Sequence, residues 1–251
     1  MELQKNKKIY FASDNHLGLP NEQESRDREK HFVSWLEEAR KDAAAIYLLG
    51  DLFDFWFEYK TVVPKGFVRV LGKLAELSDA GIPIIFFVGN HDLWMRDYFQ
   101  KELHITVHRQ PITLIVGTTR FLIGHGDGLG PGDKGYKRMK KLFTNPFSQW
   151  LFRWLHPDWG VRLGQYLSQR NKLISGEEDI KFLGEDKEWL VAYSQKKLKE
   201  EHFDYFVFGH RHFPMEIELY QNSKYINLGD WITHNTYAVF DGTTIKLKAW
   251  K

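Results

Sequence analysis

Seven residues of this chain have side chains and spacing suited to holding divalent metal: Asp14, His16, Asp51, Asn90, His125, His210 and His212. Each stands just past a short apolar run. Residues 9–12 lead into Ser13-Asp14-Asn15-His16, residues 45–49 into Gly50-Asp51, and residues 84–88 into Gly89-Asn90-His91-Asp92. Residues 121–123 lead into Gly124-His125-Gly126-Asp127, and residues 205–208 into Gly209-His210-Arg211-His212. Carboxylates, imidazoles and one amide oxygen are hard or borderline donors, a mixture that favours Mn²⁺, Fe²⁺, Zn²⁺ or Co²⁺ over Mg²⁺. Two such ions about 3.5–4 Å apart need a shared ligand, and Asp51, alone at its strand exit, suits that bridge. The chain has no cysteine, which excludes disulfides, iron–sulfur clusters, thiolate zinc sites and thiol nucleophiles. Asp-X-His by itself is common, and Gly-Asp after a strand is usually a turn. Gly-Asn-His-Asp and Gly-His-X-His are more specific, and the five in succession after matching apolar runs are more specific still.

The runs that carry these residues are β-branched or aromatic and strand-length, and the glycine that follows permits a sharp exit. Helical spacing separates them: Phe32, Leu36 and Ala39 repeat on one face, as do Phe67, Leu71, Leu74 and Leu77. Strands alternating with helices predict a layered α/β core. Residues 225–228, 237–240 and 244–249 are joined by turns such as Asp241-Gly242 and predict antiparallel strands closing a sheet. The whole predicts a β-sandwich flanked by helices. Residues 1–133 and 201–251 form its core, and residues 134–200 a helical insertion where the strand rhythm stops. From Lys134 to Leu173 there are nine Lys or Arg and one acid, Asp158, interleaved with Phe143, Phe147, Trp150, Phe152, Trp154 and Trp159. Such a stripe either packs as the core of a helical bundle or offers an aromatic, basic surface to an amphiphilic phosphate ester.

At 251 residues, 43% hydrophobic and 27% charged, the chain has ample material for a buried core. Its N-terminus lacks an apolar stretch long enough for a secretory signal, and residues 82–88 are too short to cross a bilayer. A cytosolic protein is expected, lying at most on a membrane surface. A net charge of +2 gives no ground for a nucleic-acid partner.

In this order the motifs resemble those of the calcineurin-like metallophosphoesterases, and within them the UDP-2,3-diacylglucosamine hydrolases of lipid A biosynthesis. The finer matches are Asp14-Asn15-His16-Leu17, Gly50-Asp51-Leu52-Phe53 with Trp56, and His125-Gly126-Asp127. They continue with Asp133-Lys134-Gly135-Tyr136, Gly209-His210-Arg211-His212 with Pro214, and Leu228-Gly229-Asp230-Trp231. The resemblance spans residues 9–231. It implies one ion on Asp14, His16, Asp51 and His212 and a second on Asp51, Asn90, His125 and His210, both Mn²⁺. It also implies a helical cap that receives acyl chains, with Asp133, Tyr136, Ser168, Arg170, Asn171 and Lys172 contacting an acylated sugar nucleotide. His91 resembles the superfamily's transition-state histidine, with Asp92 placed to orient it. Better-known relatives carry Arg at the position of His91, and Glu more often than Asp at that of Asp54.

The expected activity is cleavage of the pyrophosphate of UDP-2,3-diacylglucosamine to lipid X and UMP, in the cytoplasm at the inner-membrane surface. The alternatives are a metallophosphoesterase for a soluble nucleotide or phosphodiester, suggested by His91, and a lipid- or nucleic-acid-binding module whose metal is structural. His31, His104, His108, His156, His202 and His234 have no partner motif and are expected as surface or satisfied side chains.

Overall fold

Four layers build the protein, and the alternation within each strand shows why. The computed structural model describes residues 1–130, 134–179, 184 and 188–251. Strands β1 (Lys8–Ala12), β2 (Ala43–Leu48), β3 (Ile84–Phe87), β4 (Thr106–His108), β10 (Thr236–Phe240) and β11 (Ile245–Ala249) form one sheet, ordered β11-β10-β1-β2-β3-β4. Strands β5 (Ile112–Val116), β6 (Thr119–Gly124), β7 (Tyr205–Phe208), β8 (Pro214–Glu218) and β9 (Lys224–Leu228) form the other, ordered β5-β6-β7-β9-β8. Ile9 and Phe11 of β1 point between the sheets, where they meet Phe121, Val207, Ile226 and Phe240. Tyr10 and Ala12 point outward to Phe32, Trp35 and Leu36 of α1 (Glu22–Arg40) and Leu74 of α2 (Val68–Asp79). On the far side, Leu122, Phe206, Phe208 and Tyr225 pack beneath Leu190, Val191 and Leu198 of α7 (Trp189–Leu198). Strands buried on both faces read as unbroken apolar runs, as these did in the sequence.

β1 runs parallel to β2 and β2 to β3, while in the second sheet β6, β7 and β9 are parallel. Residues following the carboxyl ends of parallel strands gather at one edge, where α/β proteins place their ligands. The expectation that residues 225–249 close one sheet is corrected here. β10 and β11 pair antiparallel in the first sheet, but β9 lies in the second, parallel to β7 and antiparallel to β8. Three short apolar runs carry no information about which sheet each one joins. Phe67 is also not part of α2; it precedes the helix in a left-handed conformation, φ 57°, and the short α3 (Tyr98–Glu102) leads from β3 to β4.

Between β6 and β7 run α4 (Lys134–Phe143), α5 (Pro146–Arg153), α6 (Pro157–Asp179) and α7. Asn145 caps α5, its side chain accepting from the Phe147 N–H, with Pro146 at the first helical position. α7 belongs by its contacts to the layered core, although the sequence places it within the stretch expected as an insertion. The aromatic stripe of α5 and α6 divides. Phe152 packs against Phe57 and Trp94, at 4.7 and 4.5 Å between ring centroids. Trp150, Trp154 and Trp159 are 50%, 74% and 70% exposed.

Candidate functional site

The loops after β1, β2, β3, β6 and β7 are held to one another through their backbone N–H groups. The Asp14 N–H donates to the Gly50 carbonyl at 3.0 Å, and the His16 N–H to the Asp51 carbonyl at 2.9 Å. Asp14 Oδ2 accepts from the His210 N–H at 2.9 Å, and Asp51 Oδ1 from the His91 N–H at 2.8 Å. Gly89 must be glycine, because a Cβ there would lie 2.2 Å from Asp51 Oδ1. Five of the expected ligands, Asp14, His16, Asp51, His210 and His212, hold left-handed backbone with φ of 58°, 45°, 53°, 70° and 42°. That conformation costs roughly 1–3 kcal/mol per non-glycine residue and concentrates at functional sites.

The side chains so placed converge in three overlapping groups: Asp14, His16 and His212; His16, Asp51 and His91; and Asp51, His125 and His210. His16 Nε2 lies 3.7 Å from both Asp14 Oδ1 and Asp51 Oδ2, and 3.1 Å from His212 Nε2. His212 Nε2 is 3.4 Å from Asp14 Oδ1, and His125 Nε2 is 3.4 Å from Asp51 Oδ2. Asn90 joins through its Oδ1, 3.1 Å from His125 Nε2. Asp51 Oδ2 therefore faces both ends of the cluster.

The hydrogen bonds around the histidines orient their lone pairs. His125 Nδ1 is 2.7 Å from the Leu49 carbonyl, which can only accept, so in the neutral ring Nδ1 carries the proton and Nε2 presents its lone pair to the cluster. His16 Nδ1 donates in the same way to Asp54 Oδ1 at 3.2 Å. Asp14 Oδ1 and Asp51 Oδ2 are buried carboxylate oxygens with no hydrogen-bond partner, an arrangement costly in itself. A divalent cation satisfies such oxygens and the facing imidazole nitrogens together, so the donor set fits metal.

The charge balance points the same way. Burial alone would raise the carboxyls of Asp14 and Asp51, yet the neighbouring imidazoles hold both below the ordinary range. Burial opposes the charge of His125, but the Asp51 carboxylate outweighs it and lifts the imidazole to about 10. The cluster demands positive charge, which bound cations supply.

One expectation changes at this point. Asp92 does not act on His91: its Oδ1 accepts from the Gly89 N–H at 2.6 Å and its Oδ2 from the Leu52 N–H at 3.2 Å, pinning one loop to the next. Its carboxyl lies well above the ordinary range, through burial and then the nearby Asp51 charge. His91 is oriented instead by the Asp54 carbonyl at 3.0 Å and Ser168 Oγ at 2.9 Å from Nδ1. Tyr136, expected on the substrate, donates its hydroxyl to buried Asp127, which also holds Lys140 at 2.5 Å. Asp133 lies outside the described residues, as do the side chains of Arg170, Asn171 and Lys172.

Several supporting residues were not singled out from sequence. Arg28 of α1 is buried and donates to the carbonyls of Asn15 and His16, at 3.2 and 2.9 Å. Asn227 donates to the Gly209 carbonyl at 2.6 Å, and Arg211 forms a buried two-point ion pair with Glu188 at 3.0 and 3.1 Å. Arg211 lies inside the Gly209-His210-Arg211-His212 motif without a role of its own there, and Arg28 and Asn227 lie in no motif; a buried polar residue within an apolar run, as Asn227 is, was the available signal. The remaining histidines have bland surroundings; His234, for instance, is satisfied by Asp230 at 3.2 Å.

A family model described as calcineurin-like phosphoesterase matches residues 7–214. The chain is similar to the UDP-2,3-diacylglucosamine hydrolase of Porphyromonas gingivalis, with 41% identity covering 96% of this chain and 97% of the relative. It is similar to the protein of the same name from Vibrio parahaemolyticus at 29% identity, covering 90% and 91%. Among solved structures, the Escherichia coli phosphoesterase Yfce aligns over 97% of this chain and 93% of its own, with 16% identity and a TM-score of 0.48. With the family model matched over most of its length and a relative this similar along almost all of it, the chain belongs to the calcineurin-like phosphoesterase family.

Proposed function

We propose that this protein is a metal-dependent hydrolase that cleaves the pyrophosphate bond of UDP-2,3-diacylglucosamine, giving lipid X and UMP. The observation that carries the chemistry is Asp51 Oδ2, a buried oxygen without a hydrogen-bond partner, lying within 3.7 Å of His16 on one side and 3.4 Å of His125 on the other. The relatives' name supplies the substrate. Asp14, His16, Asp51 and His212 would hold one ion, and Asp51, Asn90, His125 and His210 the other. Mn²⁺ is the proposed metal, in keeping with the imidazole, carboxylate and amide donors. Bound there, two divalent ions would supply Lewis acidity to the phosphoryl oxygens and to a water nucleophile.

The chain's own residues do the rest. His91, its Nδ1–H held by the Asp54 carbonyl and Ser168, would donate from a protonated Nε2 to the developing charge or the leaving group. Helices α4–α6 serve as a cap, and the exposed faces of Trp150, Trp154 and Trp159 provide apolar surface for acyl chains and for the membrane that contains them. No described helix is long and apolar enough to cross a membrane, and the proposed location is the cytoplasmic face of the inner membrane, held peripherally.

The test is a specificity ratio. The acylated sugar nucleotide should be hydrolysed with kcat/KM at least about 100-fold above that for unacylated UDP-glucosamine, because buried chain area contributes binding that the second substrate lacks. A ratio near one would overturn the substrate assignment in favour of a soluble nucleotide.

A further inference from the structure

Helix α6 comes unusually close to the loop after β2. Gly160, Gly164 and Ser168 stand at four-residue spacing and so share one face of α6. A Cβ at Gly160 would lie 2.1 Å from the Tyr59 hydroxyl, and one at Gly164 2.2 Å from the Phe55 ring. With the Tyr59 and Phe55 side chains where they stand, neither position of α6 has room for a Cβ. The third position carries a hydroxymethyl group, and that group reaches the metal-ligand cluster. Ser168 is buried, with Oγ 2.7 Å from Asp54 Oδ2 and 2.9 Å from His91 Nδ1.

The proton positions follow from what each atom can do. The Asp54 carboxylate accepts, so the single Ser168 hydroxyl hydrogen goes to Oδ2. Ser168 Oγ must then accept from His91 Nδ1–H, and the Asp54 carbonyl, 3.0 Å from the same nitrogen, accepts from it as well. His91 is fixed as the Nδ1-protonated form, gripped by one atom of the core loop and one atom of α6. Asp54 extends the chain of contacts to His16 through its other oxygen, at 3.2 Å.

We infer that Ser168 is a positioning residue for the phosphoester chemistry, its hydroxyl holding the ring orientation of His91 from α6 beside the Asp54 carbonyl that accepts from the same Nδ1–H. This rests on the hydrolase reading above and deepens it. α6 becomes part of the catalytic apparatus as well as a surface for the substrate, and its docking on the loop after β2 determines whether His91 is poised.

The experiment compares Ser168→Ala with the parent on bis-p-nitrophenyl phosphate, a diester with no sugar, base or acyl chain for α6 to contact. The expected result is a kcat lower by about 10–100-fold, the usual effect of losing a hydrogen-bonded partner behind an active-site group. KM, bound Mn²⁺ and melting temperature should stay at the parental values. Gly164→Ala keeps the hydroxyl but forces α6 away from Phe55, and should lower kcat in the same direction. Long-range ¹H–¹⁵N spectra of the metal-free proteins should show a His91 Nδ1–H signal in both, moved upfield and exchanging faster with solvent in Ser168→Ala, where the Asp54 carbonyl alone still holds it. Parental kcat of Ser168→Ala on the small diester, with loss confined to the acylated sugar nucleotide, would overturn the inference and make Ser168 a substrate contact. Loss in proportion to bound metal or to melting temperature would overturn it too. If the parent hydrolyses neither ester, the hydrolase reading fails, and the Nδ1–H spectra still decide whether Ser168 holds His91.

Discussion

Asp51 is the residue on which both proposed ion sites would depend, and its replacement separates ligand from catalyst. Asp51→Ala should lose metal from both sites and activity with it, because one change removes a shared ligand and the charge that balances two dications. His91→Ala should keep its metal and lose about 10²–10⁴-fold in kcat, the usual worth of a positioned acid or charge stabiliser. Elemental analysis beside kinetics distinguishes the two, and a fully loaded, active Asp51→Ala protein would end the assignment.

A pH prediction belongs to His125. Its folded pKa of about 10 stands above the ordinary 6.5 because the Asp51 carboxylate outweighs burial. A raised imidazole pKa contributes stability fully below the unfolded value and loses it as pH climbs through the folded one. Metal-free protein should therefore lose melting temperature between pH 6.5 and about 10, while metal, which binds the neutral ring, stabilises more as pH rises. The gap between loaded and stripped melting temperatures should widen over that interval; a constant gap would contradict it.

At this scale the sequence was legible where chemistry is local. Asp14, His16, Asn90, His210 and His212 announce themselves because short motifs follow apolar runs. Asp54, Arg28 and the use made of Ser168 were not legible, since their partners stand far off in the chain: Ser168 meets Asp54 from 114 residues away.

At the scale of elements, α5 shows the limit of reading one helix by composition. Phe152 and Trp154 look alike in an aromatic stripe, but Phe152 packs on Phe57 and Trp94 while Trp154 faces outward. Trp150→Ser with Trp154→Ser should leave the melting temperature within about a degree of the parent, because exposed side chains contribute little. Phe152→Ser should cost about 2 kcal/mol and several degrees, as a side chain packed among aromatic neighbours is lost. Equal melts for the two proteins would contradict the division. The buried strands were readable because burial on both faces leaves continuous apolar runs. The sheet joined by β9 was not, because partner choice depends on register with β7 and β8, which no local pattern encodes.

For the whole molecule, the layered core holds the cluster at the carboxyl ends of its parallel strands, and α5 and α6 carry exposed tryptophans on the outside. A protein working on a membrane-borne substrate should bind vesicles that contain anionic lipid. Replacing Trp150, Trp154 and Trp159 by Ser should weaken that binding at least about 10-fold, since each ring inserts apolar area, while leaving turnover of bis-p-nitrophenyl phosphate intact. Undiminished vesicle binding by the triple variant, in a flotation assay, would remove these residues from the membrane contact.

The most direct test of the central claim is product analysis on the acylated sugar nucleotide. Purified protein with Mn²⁺ is incubated with UDP-2,3-diacylglucosamine beside a chelator-treated sample and Asp51→Ala, and the products are resolved by mass spectrometry. The account predicts UMP and lipid X in equal amounts from the Mn²⁺-loaded parent, and neither from the other two samples. Intact substrate under conditions where the same preparation hydrolyses bis-p-nitrophenyl phosphate, or equal product from the chelated protein, would contradict it.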